Sequence, residues 1–418
     1  MPSSQLDSLL GAIPAPPTEK PVILRVTGSA ESKLRRGHPW LFAEQIRSES
    51  RPGKPGDLGV VFDRKRNFLA IGLYDPLSPI RLRVLRARRS GPVDQALFDE
   101  RFAAALERRA PLLDTETDAY RMVHGESDEL PGFIADRYGD SAVVKLYSHA
   151  WVPWLGSALT ALMANQPLQR IVLRLSRQLS EQPDALAGLS DGQLLLGQLP
   201  GEPLTYSENG LRFEVDLVRG QKTGSFLDQR DNRARIEQLS RGKTVLNVFS
   251  YTGGFSLYAA RGGARSVTSV DQSGPALAAS ERNFALNLSD DNVAAAQHQT
   301  LKGDAFAVLR DLAQQGQTFD LIIVDPPAFA RRRSQVEGAL HAYGRLAGLA
   351  LSLLKPGGQL LLASCTKPVD AETFRATVCD AARRAGRPLR EIEATGHALD
   401  HPTDFAESAY LKGLFATA

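Results

Sequence analysis

The sequence predicts an α/β chain in three parts: a small β-barrel in front, a mixed α/β unit in the middle and a parallel, doubly wound sheet at the back. Three observations carry that prediction. Short runs of branched and alternating apolar residues, punctuated by glycine and proline, fill the front of the chain. A helical stretch and several strands mix behind them. From Thr244 onward the rhythm is strand, turn, helix, repeated, which is how a parallel sheet with helices on both faces reads. A chain of 418 residues with 43% hydrophobic and 23% charged residues has ordinary globular composition and room for two or three domains.

In the front segment the strands are Val22–Val26, Leu58–Phe62, Phe68–Tyr74 and Ile80–Leu85, separated by turns at Gly53, Pro55-Gly56 and Asp75-Pro76. A helix is expected from Val93 to Leu113. Strands follow at Gly132–Tyr138, Ala142–Leu146 and Arg170–Arg174, with a helix around Trp151–Asn165. In the last part strands are expected at Thr244–Phe249, Ser266–Asp271, Gln297–Gly303, Phe319–Asp325, Gln359–Ser364 and Ser408–Phe415. Helices are expected at Pro275–Leu288, Val336–Leu354 and Ala371–Ala385. The domain boundaries read as a loose tail over 1–20, a barrel over 21–90, the mixed unit over 91–200 and the doubly wound sheet over 201–418.

Charge is uneven. Lys20–Arg89 holds 16 Lys and Arg against 6 Asp and Glu, a local +10 on a chain of net +3. A basic front end on an acidic body points to a polyanion held at one end. Two cysteines exclude a disulfide scaffold and a four-thiolate zinc site, and so little sulfur suits a cytoplasmic protein. Pro14, Pro16 and Pro17 break the only apolar run near the front, so no signal peptide is expected there. No stretch reaches the ~18 apolar residues of a membrane span.

In open α/β sheets ligands bind at the carboxyl ends of the strands. The first strand of the back sheet ends Asn247-Val248-Phe249-Ser250-Tyr251-Thr252-Gly253-Gly254-Phe255. Its glycines let backbone approach a ligand, but Tyr251 and Thr252 stand where a dinucleotide fingerprint needs small residues. The second strand ends at Asp271, a carboxylate that can accept from both ribose hydroxyls or cap the next helix. The third ends Gly303-Asp304-Ala305-Phe306, an acceptor beside a phenyl face that suits an exocyclic amine. The fourth ends Asp325-Pro326-Pro327-Ala328-Phe329, whose prolines force a rigid, extended exit. The fifth ends Ser364-Cys365-Thr366-Lys367, placing a thiol at the same crevice as Asp325.

With Gln221–Arg233 upstream and Gly37-His38-Pro39-Trp40-Leu41-Phe42 near the front, these motifs resemble bacterial large-subunit ribosomal RNA cytosine-C5 methyltransferases that carry a PUA domain. The resemblance implies a PUA-like RNA-binding barrel, a mixed central domain and a Rossmann-like class I methyltransferase domain that uses S-adenosylmethionine. It implies cofactor contacts from Thr223, Phe226, Asp228, Asn247, Tyr251, Thr252, Gly253, Asp271, Asp304, Ala305 and Asp325. It makes Cys365 the nucleophile and Asp325 its catalytic partner. RNA contacts are expected from Arg35, Arg36, His38, Lys222, Arg331, Arg332 and Arg333. The wider cytosine-C5 group often has a second cysteine after the fourth-strand proline; Ala328 stands there, as in the PUA-bearing subgroup.

The chemistry explains the thiol. Cytosine C5 is a poor nucleophile, and a thiolate adding at C6 turns the ring into an enamine that can attack a methyl sulfonium. Asp325 could hydrogen-bond N3 and the amine during addition, and the base must be single-stranded or flipped out. Two other readings stay open: an RNA amino-group methyltransferase, since Pro-Pro followed by an aromatic suits an exocyclic amine, and a non-catalytic RNA-binding assembly factor. Cys379 is expected to be core packing. His397 and His401, four apart, lack a third ligand, so no metal is expected. The expected partner is large-subunit ribosomal RNA, with no membrane and with a homodimer left open.

Overall fold

The computed structural model describes residue 8, residues 10–201 and residues 203–418. The chain forms two compact units. The first takes the chain up to Asn209 together with Val215–Ser225 and Leu399–Phe405; the second takes Gly210–Glu214, Phe226–Ala398 and Ala406–Ala418.

The first unit holds two sheets. Six strands, Val22–Val26, Trp40–Phe42, Ile46–Glu49, Leu58–Phe62, Phe68–Tyr74 and Ile80–Ala87, pair in the order 2-6-5-4-1-3. The alternation of Val22–Val26 buries Val22, Leu24 and Val26 against Leu41, Val61 and Leu82, each contributing roughly 1.5–3 kcal/mol of transfer free energy. Trp40–Phe42 and Ile46–Glu49 are strands that the sequence pattern did not reveal, because each is too short to show alternation. The five strands Ala119–His124, Phe133–Tyr138, Ser141–Leu146, Arg170–Leu175 and Leu194–Leu196 pair in the order 5-4-3-2-1.

The helix expected over Val93–Leu113 runs from Gln95 to Glu107, started by the Asp94 side chain on the Leu97 amide, and the turn at Ala110–Leu113 is separate. Pro111 cannot donate inside a continuous helix. Phe98, Phe102, Phe133 and Trp151 form the centre of this core. Of the segment expected to be a loose tail, Met1–Asp7 and Leu9 lie outside the described residues. Ile13 is buried in the same core, and Leu10 packs against it.

The second unit is built on seven strands, Thr244–Val248, Ser266–Asp271, Gln297–Lys302, Phe319–Val324, Leu354–Ser364, Arg390–Thr395 and Lys412–Thr417, in the order 3-2-1-4-5-7-6. The first five are parallel, and the seventh runs antiparallel to both its neighbours. The apolar runs of the first, second, fourth and fifth strands are buried, as covered parallel strands must be, whereas Gln297–Lys302 at the sheet edge has no buried residue. The helices Gly254–Arg261, Gly274–Ala285, Ala305–Gln314, Val336–Leu353 and Ala371–Arg384 connect them. Arg390–Thr395 was not anticipated: its Arg-Glu-Ile-Glu-Ala-Thr sequence is polar because it lies at the sheet edge. The last strand begins at Lys412, four residues later than expected. His397 and His401 stand in irregular chain and not on a helix, and no His/Cys/Asp/Glu group suited to a metal occurs among the described residues.

Candidate active site

The strand order reverses beside the first strand, so its crossovers leave a crevice where the first and fourth strands end. Val248 pairs with Val270 on one side and Val324 on the other, and the Asp325 amide donates to Val248 O at 3.3 Å. The turns after Val248, Val270 and Val324 therefore emerge side by side.

The first turn is sharply wound. Phe249, Tyr251 and Gly253 all have positive φ, at 64°, 48° and 80°, a conformation that side chains tolerate poorly and that recurs at ligand sites. At Gly253 a Cβ would stand 2.0 Å from Ser280 Oγ, so only glycine fits. Asp271 holds this turn: one carboxylate oxygen accepts from the Tyr251 amide at 2.9 Å and the other from the Ser273 amide at 2.9 Å. Each oxygen keeps further acceptor capacity. The helix after it is capped by Ser273, whose hydroxyl accepts from the Ala276 amide, so Asp271 is free of that duty. Thr252 O accepts from Asn283, and Phe226 packs edge-to-face on Tyr251 at 5.3 Å.

Beneath the turn runs a chain of side-chain bonds. Asn247 Nδ2 donates to Ser256 Oγ, which meets Ser269 Oγ at 2.7 Å, which meets His298 Nε2 at 2.9 Å. His298 lies flat on Phe284, 3.8 Å between ring centres, and burial pushes its pKa down to about 4. Asn247 Oδ1 and Ser250 Oγ are buried beside the turn with no hydrogen-bond partner. At the third strand's end Asp304 is exposed and caps its helix through the Ala307 amide; Ala305 is buried. Arg345 lies over the Phe306 ring at 4.6 Å, so one of that ring's faces is covered.

Across the crevice the fourth and fifth strand ends meet. Cys365 is half-buried, and its thiol points at Pro326 O, 3.9 Å away, in the loop that begins with Asp325. The residues flanking the cysteine are both tied to one phenol: Ser364 Oγ and Thr366 Oγ1 lie 2.8 and 2.6 Å from Tyr343 Oη. Thr366 Oγ1 also accepts from the Phe329 amide at 3.1 Å. Lys412, opposite Ser364 on the neighbouring strand, donates to the carbonyls of Thr366 and Val369 at 2.7 and 2.8 Å. Burial pushes its pKa down to about 8 against the opposing pull of Cys365 and Asp370. Tyr343 and Lys412 escaped the sequence reading, although a lone lysine inside the apolar run Leu411–Phe415 was a visible signal.

The second unit thus brings together Phe226, Asn247, Tyr251, Thr252, Gly253, Asp271, Asp325 and Cys365. Asp228 is buried in the same unit; Tyr410 donates to its carboxylate at 2.7 Å and the Ala398 amide to its carbonyl. Thr223 belongs to the first unit, where its hydroxyl donates to Asp136. Lys222 belongs there too, its carbonyl accepting from Lys145. Arg35 is paired with Asp63 and Glu31, Arg36 reaches Ser32, and His38 turns Nδ1 onto the Trp40 backbone. Arg331, Arg332 and Arg333 are exposed after the Asp325 loop. Cys379 is only half-buried, beside the buried face of its helix and not inside the core as expected.

A sheet of this order, with a glycine turn ending its first strand and an acid ending its second, defines a Rossmann-like class I methyltransferase domain. The family of S-adenosylmethionine-dependent methyltransferases matches residues 178–416, and the PUA-like domain matches residues 24–87. A Deinococcus radiodurans protein named ribosomal RNA large subunit methyltransferase is 49% identical over 407 residues, covering 96% of this chain and 98% of its own. A Pseudoalteromonas translucida protein named ribosomal RNA large subunit methyltransferase I is 39% identical, covering 92% and 96%. A methyltransferase-fold chain solved with S-adenosylhomocysteine superposes with a TM-score of 0.79 at 24% identity, over 95% of this chain and all of that one. The chain belongs to the S-adenosylmethionine-dependent methyltransferase family.

The residues fit that cofactor. The orphaned Asn247 Oδ1 and Ser250 Oγ, the acceptor capacity of Asp271 and the drawn-back Gly253 make a polar cradle. S-adenosylmethionine, when bound, supplies an electrophilic methyl group. No helix among the described residues is long and apolar enough to cross a membrane.

Proposed function

We propose that the protein methylates C5 of a cytosine in large-subunit ribosomal RNA, with Cys365 as the nucleophile and Asp325 as its catalytic partner. The observation that supports this reading is the thiol of Cys365 at 3.9 Å from the Pro326 carbonyl, in the loop that begins with Asp325. The relatives named for large-subunit ribosomal RNA support the substrate class. Cys365 adds as thiolate to C6, which makes C5 nucleophilic toward the methyl that S-adenosylmethionine would supply, with S-adenosylhomocysteine departing as the methyl–sulfur bond breaks. A base then takes the C5 proton, and elimination returns the thiolate. Asp271 would hold the ribose. Asp304 and Ala305 would lie on the adenine side, with Asn247, Tyr251, Thr252, Gly253, Phe226, Asp228 and Thr223 as further cofactor residues. The exposed Arg331–Arg333 would meet phosphate, with Arg35, Arg36, His38 and Lys222 as further RNA contacts.

An amino-group methyltransferase would need Phe329 free to clamp an exocyclic amine. Instead that ring packs on Tyr343 at 5.1 Å, with its amide bound to Thr366. The test is RNA carrying 5-fluorocytosine at a target first located by bisulfite mapping of ribosomal RNA from cells with and without the gene. Fluorine cannot leave as a proton does, so the methylated adduct has no exit and a covalent complex accumulates. Cys365→Ser should lose it and Cys379→Ser should keep it, a hydroxyl being far less nucleophilic near neutral pH. Adduct persisting in Cys365→Ser, or absent from wild type on a mapped target, overturns the assignment.

A further inference from the structure

The position of Lys412 is costly. Its side chain is only 7% exposed, and its ammonium is held by two main-chain carbonyls and no carboxylate. Burying a cation without a hydrogen-bonded counter-charge opposes folding at neutral pH, which is the sense of its lowered pKa. A lysine with its folded pKa depressed contributes stability only at high pH, and loses it as pH falls through about 8. An apolar residue in the same strand would avoid that cost.

What the lysine touches suggests what it does. Both carbonyls belong to the loop that starts at Cys365, and Lys412 reaches both neighbours of the cysteine, pairing with Ser364 across the strands and donating to Thr366 O. Two ionisable groups are tied to the residues beside Cys365: Lys412 from the last strand, through the Thr366 carbonyl, and Tyr343 from the helix Val336–Leu353, through Ser364 and Thr366. Asp325 opens the loop that the thiol points to, and Lys367 and Asp370 lie further along the cysteine's own chain. Asp325 is acidic and disfavours a thiolate, whereas Asp370 is exposed and its carboxylate is bound to Thr373. Tyr343 is neutral, its phenol pushed up by burial. Lys367 is exposed to solvent, where its charge is screened. Lys412 is the buried cation of the set.

We propose that Lys412 is a positioning residue for the reaction: it pins the Cys365–Val369 loop through two carbonyl bonds and keeps a cation beside the sulfur, so that Cys365 gives up its proton to solvent and stands as thiolate near neutral pH. The inference rests on Cys365 being the nucleophile. An opposite charge within a few ångströms favours the ionised form of a thiol.

The experiment is the pH dependence of alkylation by iodoacetamide, read separately at Cys365 and Cys379 by mass spectrometry of the folded protein. In wild type Cys365 should react at lower pH than Cys379. Lys412→Met should slow Cys365 alkylation at pH 7 by about tenfold and move its profile to higher pH, while leaving Cys379 unchanged. Lys412→Arg, which keeps the charge, should restore the profile. Tyr343→Phe loosens the same loop without removing a charge and should leave the profile where wild type has it, a result that separates electrostatics from mere disorder. An unmoved profile in Lys412→Met overturns the proposal. So does a wild-type Cys365 that titrates no lower than Cys379, a measurement that needs no variant to fold. Alkylation involves no RNA, so a missing fluorocytosine adduct overturns the covalent mechanism alone and an unmoved alkylation profile overturns this inference alone.

Discussion

At Asp271 one carboxylate serves two ends of the site. It accepts the Tyr251 and Ser273 amides, fixing the wound turn, and its remaining lone pairs face the crevice. Asp271→Ala should therefore weaken S-adenosylmethionine binding by roughly 1–3 kcal/mol, the range for leaving polar groups unpaired. Asp271→Asn, which keeps one carbonyl oxygen, should lose less. Calorimetry with unchanged affinity in both variants would remove Asp271 from the cofactor site. Its place at a strand end was legible in the sequence, where it could meet a ribose or cap the next helix, and the cap falls to Ser273 instead. Its service to Tyr251 was not, since a bond to an amide twenty positions away depends on how the strands align. Tyr343 and Lys412 were hidden for a related reason: neither follows a motif, and each matters through what the sheet and helix bring beside Ser364 and Thr366.

At the scale of elements, long apolar strands were readable, and of the two polar edge strands of the back sheet Gln297–Lys302 was expected and Arg390–Thr395 was not. Phe319–Val324 is buried on both faces and announces itself, whereas Arg390–Thr395 owes its strand character to pairing with Lys412–Thr417. The third strand, Gln297–Lys302, carries the only titratable link of the bond chain under the turn. His298 is neutral in the fold, its pKa pushed by burial from 6.5 to about 4. A histidine whose folded pKa is depressed contributes stability that is complete above its unfolded value and is lost as pH falls through the folded one. Between pH 6.5 and about 4 the protein should lose on the order of 2 kcal/mol from this group. In His298→Gln that part of the pH dependence should vanish. Urea titrations at pH 7 and pH 4.5 giving the same loss in both proteins would show that His298 is not the cause.

At the scale of the whole molecule, the basic front sheet is no appendage that can be cut away at Arg89. Asp75, fully buried, accepts from Ser148 Oγ at 2.6 Å and from the His149 amide at 3.0 Å. Trp154 donates to Gly56 O, and Arg83 pairs with Glu126 at 2.8 Å. Deleting the front sheet would strip these partners from the five-stranded sheet, so loss of RNA binding after truncation would say little about contacts. Charge neutralisation avoids that. Arg35 is already paired with Asp63, whereas Arg36, Arg64 and Lys65 are exposed, Arg64 lying 3.7 Å from Glu31. Changing those three to glutamine should weaken RNA binding by a similar factor for every sequence tried, because phosphate contacts position and do not specify. The slope of log K against log salt should become shallower by about 0.7 for each single-strand phosphate contact removed, as fewer counterions are released. Cofactor affinity should stay as in wild type, since none of the three is among the proposed cofactor residues. A salt slope equal to that of wild type would show that this face does not carry the RNA.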